Sequence, residues 1–129
     1  MIKFSLHVFT GCFPSQEHAT NYTEWRYDEA TEDRSSDFSM DFAGLEFDED
    51  FLEVIFGTGA EDYVKSMLFD EAEMQSIQSR QHPEDNTFIL LMELGGNKGI
   101  KIPSSTVQTV RYCGRFRGVF RDPEPKPPK

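Results

Sequence analysis

The chain lacks several features that would indicate a function class at once. No apolar run approaches the roughly eighteen residues needed to span a bilayer, and the first nine residues alternate in polarity instead of forming the apolar stretch of a signal peptide. Cysteine is scarce, because Cys12 and Cys113 are the only two and neither has metal-ligand spacing around it. These absences predict a cytoplasmic protein in which both cysteines are reduced.

Motifs of catalysis are also missing. The histidines, His7, His18 and His82, form no His-Glu-x-x-His arrangement. Cys12 and His18 have no accompanying group that would orient them as nucleophile and base. The glycine-rich segment 95–99 does not have the spacing of a phosphate-binding loop and predicts a turn. We therefore expect no enzymatic activity, no catalytic residue, no metal and no cofactor.

Positive charge is in short supply. The chain has 13 basic and 23 acidic residues, a formal net charge of −10. A protein that binds nucleic acid needs clustered lysine and arginine to neutralise phosphates, whereas the first 79 residues hold 4 basic and 18 acidic side chains. This imbalance argues against direct nucleic-acid binding.

The acidic residues are concentrated between positions 17 and 53, where thirteen carboxylates face two arginines. Aromatic residues are interspersed with them, and Asp48–Glu53 is the densest part. Like charges at this density repel each other unless water or a basic partner offsets them. A calcium loop is not formed, since Leu52 and Glu53 stand where Asp and Gly would be needed. Two interpretations remain open: a hydrated helix N-terminus, where each acid contributes about 0.3–1 kcal/mol, or a surface for a basic partner.

The residue pattern also predicts the order of helices and strands. Residues 2–9 alternate as in a strand with one buried face, and residues 87–94 form an apolar run typical of a central strand. Ser15 and Ser36 are predicted to cap helices that run to about residues 25 and 42. Further helix starts are predicted at Asp48, Thr58 and Asp70.

The C-terminal third predicts a return to strands. Residues 100–102 are expected to pair back as a hairpin, and a last strand begins at Val110. Its alternation predicts Arg111, Arg115 and Arg117 on one face.

A length of 129 residues fits one compact domain. The element order predicts an α+β fold, a mostly antiparallel sheet with helices packed on one face. We expect a single domain over residues 1–121, followed by a proline-rich flexible tail at 122–129.

Several segments carry a recognisable pattern: Gly11-Cys12-Phe13-Pro14-Ser15-Gln16-Glu17, the downstream Tyr22 and Tyr27-Asp28-Glu29, and above all Phe47-Asp48-Glu49-Asp50-Phe51-Leu52-Glu53. They resemble the immunity protein 22 family of bacterial polymorphic-toxin systems. The resemblance covers about residues 2–120. It implies a non-enzymatic inhibitor that binds a toxin domain delivered by a competing or sibling cell.

The resemblance and the charge pattern together give a hypothesis about the partner. A nuclease toxin is basic where it holds nucleic acid, so an acidic inhibitor would complement that surface. The predicted contact residues are Tyr27, Asp28, Glu29, Glu32, Asp33, Phe47, Asp48, Glu49, Asp50 and Glu53, with Tyr27 or Phe47 as the aromatic anchor. The rival interpretations are a small metal-dependent enzyme that uses the Asp48–Glu53 carboxylates and an acidic adaptor or chaperone domain. Neither the toxin's activity nor the oligomeric state follows from the sequence.

Overall fold

The computed structural model of the protein describes residues 2–94, 100, 102 and 110–120. Its elements are β1 (Ile2–Gly11), α1 (Gln16–Thr23), β2 (Arg26–Asp28), β3 (Asp33–Ser35), α2 (Asp37–Asp41), a 3-10 turn (Glu49–Phe51), β4 (Leu52–Phe56), α3 (Ala60–Met67), a second 3-10 turn (Glu71–Glu73), α4 (Met74–Arg80), β5 (Thr87–Leu94) and β6 (Val110–Phe120).

The main sheet has the strand order β4-β5-β1-β6, and β2 and β3 form a separate hairpin. Every neighbouring pair of strands is antiparallel. The predicted α+β class with an antiparallel sheet is confirmed. The predicted turn at 95–99 and the proline-rich tail at 122–129 lie outside the described residues, as does residue 101 of the segment 100–102 that was expected to form a hairpin. Neither Ile100 nor Ile102 is part of a strand.

The buried side chains form one core on each face of the main sheet. Successive residues of a strand point to opposite faces, and in β5 Phe88, Leu90 and Met92 enter the first core while Ile89 and Leu91 enter the second. Helices α3 and α4 cover the first core, as expected for helices packed on one face. The structure adds a second layer, because α1 and α2 supply side chains to the other core.

The predicted serine caps are confirmed. The Ser15 hydroxyl accepts a hydrogen bond from the His18 backbone N–H at 3.2 Å, and the Ser36 hydroxyl accepts one from Ser39 N–H at 3.0 Å. Each satisfies one of the backbone donors that a helix start leaves unpaired. At α3 the predicted cap differs, since Gly59, with φ 89°, precedes the helix without a side-chain hydrogen bond.

The helix predicted to start at Asp48 is wrong. The Asp48 carboxylate does cap a turn, accepting from Asp50 N–H at 2.9 Å, but the turn ends after residue 51 and the chain continues as strand β4. In β4, Leu52 and Val54 pack on the second core while Ile55 packs on the first. This alternation matches a strand, and pairing with β5 stabilises it in place of a helix.

A bulge in β6 changes its alternation. The register with β1 shifts between Val8 and Phe9, an irregularity that reverses which side of the sheet a residue faces. Cys113 and Phe116, three positions apart, therefore both contact the first core.

The bulge corrects the prediction that three arginines share one face of the last strand. Arg111, on one side of the bulge, pairs with Asp85 at 2.8 Å. Arg115, on the other side, pairs with Glu93 at 2.8 Å on the opposite face, and Arg117 lies two residues beyond it. The arginines are thus divided between two sites. The alternation of side chains between the two faces of a strand shifts by one residue at a bulge, so residues on either side of it cannot be assigned to one face by counting.

Candidate functional site

Five of the predicted contact residues lie on the β2–β3 hairpin. Tyr27 and Asp28 are in β2, Asp33 is in β3, and Glu29 and Glu32 are in the turn between them. All five are exposed, and Tyr27 has 65% of its surface in contact with solvent. The hairpin therefore presents four carboxylates and one accessible aromatic ring.

A stack of side chains attaches this hairpin to the second core. The Trp25 ring lies on the Phe47 ring with centroids 4.5 Å apart and planes at 25°. The Arg34 guanidinium carbon lies 4.4 Å from the Trp25 centroid, a cation–π contact of about 0.5–1 kcal/mol at exposed sites. Arg26 adds an ion pair to Asp37 of α2 at 2.6 Å. The hairpin is thus held at its base, next to the core.

An open groove of about 430 Å³ lies beside this stack. Its lining consists of Arg34 from the hairpin and of Glu46, Phe47, Asp48 and Glu49 from the segment before β4. The Arg34 guanidinium is 4.0 Å from the Glu46 carboxylate, and both side chains are at least half exposed. Three carboxylates against one guanidinium leave the groove negative. Arg34, which follows Asp33 in the hairpin, thus meets the acidic segment before β4 at this groove.

Two of the predicted contact residues are engaged in contacts within the fold. Phe47 is only 5% exposed and belongs to the second core, where it also contacts Phe38. Glu53 lies in β4, and its carboxylate accepts a hydrogen bond from the Tyr63 hydroxyl of α3 at 2.5 Å. Partial burial and this hydrogen bond raise the pKa of Tyr63 to about 12, which keeps the phenol protonated as the donor. Asp50 is exposed next to the groove.

A buried polar cluster in the main sheet was missed at the sequence level. His7 Nδ1 lies 2.9 Å from the Tyr112 hydroxyl, and His7 Nε2 lies 3.8 Å from the Glu93 carboxylate, which also binds Arg115. Burial lowers the pKa of His7 below its usual range, so the ring is neutral at pH 7. The single charge at Glu93, inside the apolar run of β5, was the available signal. The cluster links β1, β5 and β6.

A second polar cluster fixes the loop before β5. The Asp85 carboxylate accepts hydrogen bonds from the Thr10 hydroxyl at 2.7 Å, from Arg111 at 2.8 Å and from His82 N–H at 2.9 Å. Cys113 lies beside Thr10, and burial raises the pKa of its thiol, which makes it a poor nucleophile. Both cysteines are free, with Cys12 exposed. These contacts give the cluster a structural role.

None of the described helices has the length and apolarity to cross a membrane. Within the described ranges, no three or more His, Cys, Asp or Glu side chains are grouped as metal ligands.

Comparison with known proteins gives the class to which this chain belongs, the immunity proteins, which act against toxins. The family model named Immunity protein 22 matches residues 6–117. The chain therefore belongs to the Immunity protein 22 family, and the resemblance carried by the Phe47–Glu53 segment is confirmed. No curated protein and no solved structure matches the chain.

Proposed function

We propose that this immunity protein neutralises its toxin by direct stoichiometric binding through an acidic face, without enzymatic activity, in the cytoplasm. The acidic face is the tip of the β2–β3 hairpin together with the rim of the groove. Its residues are Asp28, Glu29, Glu32, Asp33, Glu46, Asp48, Glu49 and Asp50. The proposed toxin is a basic nuclease domain, whose nucleic-acid surface this face would cover.

The observation that carries the proposal is the groove, at which Arg34 of the acidic hairpin meets the acidic segment before β4. Among the described residues, Arg34 is the sole cation of its lining, and the rim carboxylates Glu46, Asp48 and Glu49 are exposed. A concave surface of one sign concentrates the field and accelerates the association of an oppositely charged partner by about 10- to 1000-fold. Rim charges of this kind act mainly on the association rate and on its salt dependence.

In this proposal Tyr27 supplies an apolar contact to the toxin beside the charged contacts. It is exposed on β2 directly opposite Arg34 in the hairpin register, so its ring lies near the groove. Exposed tyrosines at interfaces often carry about 2 kcal/mol or more of binding free energy. Because Phe47 is buried, Tyr27 is the anchor that we propose.

The test compares two double variants with the same change in net charge. Glu46→Lys with Glu49→Lys reverses charge at the groove, whereas Glu71→Lys with Glu84→Lys does so elsewhere on the exposed surface. Glu49 and Glu71 are matched, since each begins a 3-10 turn capped by an aspartate. The toxin partner is the domain encoded by the adjacent gene, in an inactivated form.

We expect the groove variant to slow association by about tenfold or more at low salt and the control variant to slow it by no more than about threefold. Stopped-flow measurements from low to high salt would record both rates. Equal slowing in the two variants would show that only the net charge of the protein matters. That result would reject the acidic face as the contact surface.

The nuclease part of the proposal has its own measurement. The active toxin domain is incubated with DNA and with RNA, and this protein is added in increasing amounts. We expect cleavage that stops at one equivalent of the immunity protein. A toxin that cleaves neither substrate would contradict the nuclease assignment while leaving the acidic face untouched.

A further inference from the structure

The two edges of the main sheet differ in how they are covered. At the β6 edge, Leu68 forms a bridge with Gly118, and the Phe69 N–H donates to the Arg117 carbonyl at 3.0 Å. At the other edge, β4 pairs with β5, and among the described residues no further strand lies on its outer side. In the described ranges, the chain thus covers one edge with its own backbone, and β4 is the terminal strand at the other.

The hydrogen-bond pattern identifies which backbone groups of β4 point outward. Gly57 N–H donates to the Asn86 carbonyl at 2.8 Å, one position beyond the Phe56–Thr87 pair that ends the β4–β5 register. In antiparallel pairs, inward-bonded residues alternate with outward ones. Glu53 and Ile55 therefore bond to β5, whereas the N–H and C=O groups of Val54 and of Phe56 point away from the sheet.

Within the part of the chain that the structure describes, the β4 edge carries no lysine, proline or bulge, although the strand is short and contains Glu53. Natural edge strands carry lysine, proline or a bulge, whereas β4 reads Leu-Glu-Val-Ile-Phe and pairs with β5 in an unbroken register. All five residues are half-buried. An added strand would cover apolar side chains and satisfy the outward backbone groups, a binding mode in which main-chain hydrogen bonds supply affinity.

We propose that an extended basic segment of the toxin pairs with the outer edge of β4 and adds a fifth strand to the sheet. This inference rests on the proposed function and names the second element of the same interface. Asp48, Glu49 and Asp50 immediately precede β4, and Glu53 lies within it. A lysine or arginine beside Glu53 and an apolar residue beside Val54 would complement this edge.

A second copy of this chain fits the edge less well. Each copy carries a formal net charge of −10, so two copies repel each other. A basic segment is instead attracted by the same carboxylates that repel a second copy. Charge complementarity therefore selects a cationic partner as the occupant.

Amide hydrogen exchange of single residues tests the proposal in the native protein. In the free chain, Val54 and Phe56 amides should exchange fast, while Glu53 and Ile55 amides, bonded to β5, should be protected. Adding the inactivated toxin domain should slow Val54 and Phe56 by about tenfold or more. Unchanged exchange at these two residues in the complex would overturn the proposal. So would protection already present in the free chain, since a segment of the chain itself or a second copy would then occupy the edge.

A backbone variant gives an independent readout. Val54→Pro removes an N–H that points outward, so the β4–β5 bonds are kept, and Val54→Ala shortens the side chain but retains that N–H. We expect Val54→Pro to weaken toxin binding by about tenfold or more and Val54→Ala by about threefold or less. Equal losses in the two variants would contradict strand addition. If the proline variant unfolds, the exchange measurement decides.

The two proposals fail in different ways. Toxin binding that depends on Glu46 and Glu49 but leaves the Val54 amide unprotected would reject the edge and retain the acidic face. Failure of the unaltered protein to bind the toxin would reject both.

Discussion

Replacing Phe47 should lower the stability of the protein, whereas replacing Tyr27 should lower its affinity for the toxin. The two aromatic residues were equivalent candidates for a contact anchor in the sequence. In the structure Phe47 is 5% exposed and stacked on Trp25, whereas Tyr27 is 65% exposed. Because Phe47 is buried, its truncation to alanine should lower stability. Because Tyr27 is exposed, its truncation should lower affinity for the toxin and leave stability nearly unchanged.

The size of the first effect follows from packing. Deleting a buried phenylalanine ring removes its transfer free energy and leaves a cavity, and Phe→Ala in cores costs about 3–5 kcal/mol. Because the Phe47 ring also supports Trp25, and through it Arg34, little of this cavity can close. At about 4 °C per kcal/mol for a chain of this size, Phe47→Ala should lower Tm by about 12–20 °C.

The Tyr27 variant should behave in the opposite way. A substitution at a solvated position changes stability by about 0.5 kcal/mol or less. Loss of an aromatic hot spot costs about 2 kcal/mol of binding free energy, which is about a thirtyfold rise in Kd. Thermal unfolding followed by circular dichroism measures the first quantity, and isothermal titration with the toxin domain measures the second.

Two results would refute this reasoning. A Tm shift below about 4 °C for Phe47→Ala, equivalent to about 1 kcal/mol, would show that the ring is not a core residue. Undiminished affinity of Tyr27→Ala, with an unchanged Tm, would remove Tyr27 from the interface.

Two further predictions concern the polar clusters of the sheet. Asp85→Ala should cost about 3 kcal/mol, because it leaves the partly buried Arg111 unpaired; urea unfolding measures this, with the exposed Glu84→Ala as the unaffected control. For His7, burial lowers the pKa below 6.5, so the unfolded chain binds the proton more readily. Stability should be retained above pH 6.5 and lost below it, by up to about 1.4 kcal/mol per pH unit. His7→Gln should flatten that slope, and an unchanged slope would assign the acid sensitivity to other groups.

Local signals in the sequence were sufficient for much of the secondary structure. The alternation of residues 2–9 and the apolar run at 87–94 predicted β1 and β5, because a strand with a buried face needs that spacing. Ser15 and Ser36 predicted the starts of α1 and α2, since capping depends on a side chain and a backbone donor only a few residues apart.

The same kind of signal failed at β4. Phe51, Leu52, Ile55 and Phe56 match a helical stripe, and Asp48 is a capping residue. Short apolar runs fit helix and strand periods alike. Residues 52–56 form a strand because they pair with the edge of β5, which lies some thirty residues later in the chain.

By itself, the sequence determined the charge of this protein, its family and most of its local elements, because each depends on residue types or on neighbours a few positions apart. The tertiary structure alone decided the burial of Phe47, the division of Arg111 from Arg115 by the bulge, and the meeting of Arg34 with Glu46–Glu49 around one groove. These features depend on contacts between distant segments. Such contacts are set by how the whole sheet and its two cores pack, and no spacing within one segment encodes them.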